Sequence, residues 1–175
     1  MGIIRSFLRA TAATYALEGA RAKYHKAIAM IDKATAGLYA AADAGFAPFA
    51  AHVNIPDAAA RVARDPRVIA AAAAVDTLRA ALFDALIAPN PNAELTRVAA
   101  TAPATINNLF IALRDTYLKV LMPADAVDAL RAGVIDIDEL GGAAVPAAIR
   151  SDFMRVLLSD QDPECAQNGT RLLQF

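Results

Sequence analysis

Two histidines, three serines and one cysteine are the side chains of this chain best suited to nucleophilic or general-base chemistry. None stands where that chemistry needs it. Ser6, Ser151 and Ser159 lie outside any Gly-x-Ser-x-Gly turn, the corner that lifts a serine hydroxyl above a sheet. His25 sits in Lys23-Tyr24-His25-Lys26, where two lysines oppose a bound cation, and reads as a surface residue. His52 lies in an apolar stretch and is expected to bond a backbone carbonyl. Neither belongs to His-Glu-x-x-His or Glu-x-x-His, the spacings that place metal ligands on one helix face. Cys165 follows Asp162-Pro163-Glu164, an acidic setting that disfavours the thiolate. A lone cysteine also forms no intramolecular disulfide. Asp136, Asp138 and Glu139 gather three carboxylates, but the glycine and terminal glutamate of a twelve-residue calcium loop are missing. Their spacing is that of a capping box. Gly141-Gly142 lacks the lysine of a phosphate loop. The expectation is a non-enzymatic chain, with no catalytic, cofactor or metal site.

The elements are therefore more informative than any cluster. Ile3 to Ala44 contains no proline. Ile3, Phe7, Ala10, Thr14, Leu17, Arg21, Tyr24, Ile28, Ile31, Thr35, Leu38 and Ala42 recur at alternating spacings of four and three. That is a heptad seam, interrupted at Arg21. Arg5, Arg9, Lys23, Lys26 and Lys33 fall on the opposite side, which separates a packing face from a basic one. A helix over 1–44 would span about 60 Å, and its end is expected at Ala44, with Gly45 at C′ and Pro48 beyond. Residues 45–56 then read as an apolar connector between prolines. Its Phe46, Phe49, Val53 and Ile55 are expected to be covered by the spine or by another chain.

Proline punctuation divides the remainder, 57–159, into a helical bundle. Asp57–Arg64 makes two turns, and Asp65-Pro66 is an N-cap followed by a first-turn proline. Pro66–Ala88 follows, with Val68, Ala72, Val75, Leu78, Leu82, Phe83, Leu86 and Ile87 expected on one side. Further helices are expected over 93–100, from Thr101 to Met122, over 124–132 before Gly133, at the capping box, and from Pro146. Residues 160–175 read as an irregular tail. Its Leu172, Leu173 and Phe175 are expected to rest on a helix face or a neighbouring subunit. The fold class is all-α: one helical domain, 1–175, of about six or seven helices along a long N-terminal amphipathic spine. Alanine, about a quarter of the residues, is the best helix former, and tryptophan is absent.

Charge and hydropathy bound the partners. Mean hydropathy is +0.37 and net charge −1. Residues 1–33 hold six basic and two acidic side chains, about +4, whereas 101–175 hold six basic and ten acidic, about −4. A basic head and an acidic tail suit head-to-tail pairing between copies. A pI near 6.1 and thinly spread basic charge disfavour nucleic acid. No run of 18 uncharged apolar residues could span a membrane, and Arg5 and Arg9 interrupt any secretory signal, so a cytoplasmic or virion location is expected. On composition and layout alone, the chain resembles helical virion accessory and assembly proteins. A structural or assembly subunit, phage or virus included, is the expected function, with protein partners that include copies of itself. The alternative is an accessory subunit held on a membrane surface by the basic amphipathic N-terminus.

Overall fold

The computed structural model describes residues 2–141 and 144–159, and over 2–17 the helical backbone alone. The described residues are all-α, with no strand. In chain order the helices are α1 (Gly2–His52), α2 (Ala58–Ala63), α3 (Pro66–Leu86), α4 (Pro91–Ala99), α5 (Ala102–Leu121), α6 (Ala124–Arg131), the single turn α7 (Asp138–Gly141) and α8 (Ala147–Leu157). The tail from residue 160 lies outside the described residues.

The spine is longer than its sequence suggests. It does not stop at Ala44 but runs through Gly45 and Pro48 to His52, so most of the expected connector is helix. Asn54 ends it. With φ at 57°, Asn54 takes the left-handed C′ position, a conformation asparagine tolerates better than most residues. The Asn54 amide donates to the Ala51 carbonyl at 3.2 Å and the Ile55 amide to the Ala50 carbonyl at 2.9 Å. These two bonds make a Schellman closure. Gly133, φ 70°, closes α6 in the same way. Gly45 serves a different purpose from the cap expected of it. A Cβ built there would lie 2.5 Å from Val156 Cγ2 and 3.2 Å from the Asp152 carbonyl oxygen. The missing side chain is what lets α1 and α8 touch.

The described core along α1 begins at Ala20 and continues through Ala27, Ile31, Ala34, Ala42, Phe46, Phe49 and Ala50. The packed stripe is turned from the heptad seam toward its alanine side. Tyr24, Ile28 and Leu38 are only partly buried, and Arg21 is exposed. Small residues at the centre of the stripe allow close approach by α3, α4, α5 and α8, which all pack on α1. At its C-terminal end Phe46 stacks on Tyr117 with centroids 5.1 Å apart and meets Phe153 edge-on at 5.4 Å; Phe49 lies 4.7 Å from Phe153. Such pairs add about 0.5–1.5 kcal/mol each beyond area burial. The Tyr117 hydroxyl donates to Asp43 Oδ1 at 2.5 Å. Burial and the adjacent Asp43 carboxylate push that phenol well above its ordinary range.

Pro66 and Pro91 open α3 and α4 at their first turns. Asp65 caps α3 by accepting from the Arg67 amide at 2.9 Å. The capping box forms as well: Glu139 Oε1 accepts from the Asp136 amide at 3.2 Å, and Asp136 Oδ1 from the Asp138 amide at 3.1 Å.

Candidate functional site

Two surface features stand out. The first is the outer side of α3. Val68, Val75, Leu78, Leu82 and Ala85 face the core, so the opposite side carries Ile69, Ala73, Asp76, Ala80 and Phe83 at helical spacing, continued by Ile87 at the C-cap. Ile69 is 55% exposed, Phe83 52% and Ile87 70%. This corrects the sequence reading, which put Phe83 and Ile87 with the core residues. Leu82 and Phe83 are neighbours about 100° apart on the helix and cannot share one face centre. Phe83 meets the Tyr24 ring edge-on at 6.3 Å, extending the apolar surface onto α1. Charge on this side is sparse. Arg79 pairs with Asp32 at 2.9 Å and with Asp76 at 2.7 Å. These exposed pairs add little stability.

The second feature is a cleft of about 440 Å³ where α6, α7 and α8 meet. Leu130, Val134, Ile135, Ile137 and Met154 supply its apolar lining; Asp136, Glu139 and Arg150 supply the charge. Val134, just past the α6 closure, is 74% exposed. Asp138 anchors the cleft wall. Its Oδ1 accepts from the Val145 amide at 2.8 Å and its Oδ2 pairs with Arg150. The Val145 hydrogen bond, then the Arg150 guanidinium, hold the Asp138 carboxyl below the usual carboxylate range. Arg150 also lies 4.0 Å from Asp136, which leaves three carboxylates to one guanidinium.

The residues expected to meet a partner divide. Phe46 and Phe49 are 0% and 1% exposed and packed wholly within this chain, which leaves them no surface to offer. Val53 and Ile55, at the helix closure, are half-buried against the same core. Leu172, Leu173 and Phe175 lie outside the described residues. His52 Nε2 is enclosed and has no hydrogen-bond partner among the described residues, contrary to the carbonyl expected for it. No group of three or more histidine, cysteine or acidic side chains able to hold a metal occurs among the described residues. No helix among them is long and apolar enough to cross a membrane. Comparison with protein-family models, curated proteins and solved structures finds no match to this chain.

Proposed function

We propose that this chain is a non-enzymatic helical subunit of a larger protein assembly, with other copies of itself among its partners. A phage or virus particle is the setting that its composition and layout favour. The observation that carries the reading is the outer side of α3, where Ile69, Phe83 and Ile87 stand in solvent at half exposure or more. Apolar area left in water forgoes about 25 cal/mol per Å², and a row of such residues on one helix marks a contact surface. The alanines between them keep that surface smooth enough for another helix to approach.

Light scattering over a concentration series tests the reading. The wild-type chain is expected to exceed its 18.3 kDa protomer mass as concentration rises. Phe83→Glu with Ile87→Glu should raise the dissociation constant at least about tenfold, as loss of two interface anchors does. Both positions are exposed, so the protomer's own fold should hold. A wild-type chain that remains a protomer throughout refutes the proposal. Flotation with anionic liposomes separates it from the membrane alternative, which requires association to depend on lipid.

A further inference from the structure

We propose that the cleft between α6, α7 and α8 receives the N-terminal end of α1 from a second copy, so that copies join head to tail. The inference rests on the assembly reading and names the partner segment within it.

The chemistry of the two surfaces matches. Asp136 and Glu139 line the cleft with Arg150, whose charge Asp138 answers from behind the wall, so the four groups together sum to −2. Residues 2–17 contain Arg5 and Arg9 and no acidic residue, a net charge of +2. The apolar part of the cleft lining is aliphatic, with Met154 beside it; residues 2–17 include Ile3, Ile4, Phe7 and Leu8. A helix N-terminus also has amides without intrahelical acceptors and the positive end of the helix dipole. The first turn of α1 carries no acidic side chain to answer them. Exposed carboxylates at Asp136 and Glu139 are the complement it lacks; Asp136 is 57% exposed.

Geometry excludes the chain's own head. Gly45 of α1 touches Asp152 and Val156 of α8, while Arg150 and Met154 of that same helix line the cleft. The C-terminal end of the spine therefore sits about one helix diameter from the cleft. Arg5 lies forty residues back along one continuous helix, roughly 60 Å away. Only another copy's head can enter. Donor and acceptor are different surfaces, so the contact is heterologous and propagates into a ring or a filament.

Charge reversal tests this on the full-length chain. One variant carries Asp136→Lys with Glu139→Lys; the other carries Arg5→Glu with Arg9→Glu. Each alone should weaken association about tenfold or more in sedimentation velocity, and raising salt should weaken the wild type in the same direction. An equimolar mixture of the two should recover assembly, because each head then meets a cleft of opposite sign. Circular dichroism checks that each variant keeps its helix content. Should the lysines unfold the α7 turn, Asp136→Asn with Glu139→Gln keeps both capping oxygens, takes the net charge from −2 to 0 and should weaken association in the same direction. A wild-type chain that assembles while either reversal leaves its sedimentation unchanged overturns the head-to-cleft contact alone. Failure of the mixture to recover overturns it too. A wild-type chain that never exceeds 18.3 kDa overturns the assembly reading itself.

Discussion

One substitution made at two positions of α1 should change stability in opposite directions. Gly37 is exposed, and a Cβ added there meets nothing within 4 Å. Gly37→Ala should therefore deliver the ordinary helix gain of about 1 kcal/mol. For a chain of this length that raises Tm by about 2–4 °C. Gly45→Ala offers the same gain but drives a methyl to 2.5 Å from Val156 Cγ2 and 3.2 Å from both Val156 Cβ and the Asp152 carbonyl oxygen. Rotating the valine moves Cγ2 but leaves Cβ and the carbonyl in place, so α8 itself must back away. Overpacking costs about 1–3 kcal/mol, and an obstruction that includes backbone belongs at the upper end. The net expectation is a loss of about 2 kcal/mol and a Tm lower by about 4–8 °C. Thermal melts at one fixed concentration measure both variants, since association makes Tm depend on concentration. Val156→Ala combined with Gly45→Ala should show favourable coupling of about 1 kcal/mol or more. If Gly45→Ala raises Tm as Gly37→Ala does, the α1–α8 contact is not as close as described, and the reasoning fails.

Two further outcomes follow from the same packing. Tyr117→Phe deletes a hydroxyl bonded to Asp43 and should cost about 1–2 kcal/mol at pH 7, less than a fully enclosed charged pair because Asp43 is exposed. Its pH signature is sharper. The folded phenol is raised above its unfolded value, so its stability contribution is complete below about pH 10 and falls as pH climbs beyond. Alkaline unfolding curves of wild type and variant should therefore converge; curves that stay parallel would exclude the Tyr117–Asp43 pairing. Asp65→Ala removes the cap of α3 and should cost about 1 kcal/mol in chemical denaturation, with unchanged m-value.

The helices were largely legible because proline, glycine and capping residues mark their ends locally. Asp65-Pro66, Gly133 and the Asp136–Glu139 box all formed as their spacing implies. Gly45 and Pro48 misled because each has two physical uses. A glycine closes a helix or admits a neighbour, and nothing within four residues reveals that Val156 will lie against it. Pro48 removes one amide from the ladder, yet only one further turn follows, and the buried Phe46 and Phe49 hold that turn in place. The true stop, Asn54, was readable in principle as a residue suited to positive φ. The exposed stripe of α3 was also readable, since on a 3.6-residue helix Ile87 lies opposite Leu78 and Phe83 about 140° from it. The cleft was not. It depends on Arg150 crossing to Asp138 and on the Val145 amide reaching the same carboxylate. Those are tertiary facts without a local signature.

The aromatic knot at the end of α1 has a consequence for synthesis. Phe46 and Phe49 leave the ribosome early, but Phe153, the ring that covers both, is added about a hundred residues later. At about 5–20 residues per second, the nascent spine keeps two phenylalanines without their α8 partner for roughly 5–20 s. The α5 contact through Tyr117, itself added about seventy residues after Phe46, covers that ring only in part. The end of α1 is thus open to capture by a chaperone, or by a neighbouring chain on the same polysome, before the fold closes over it.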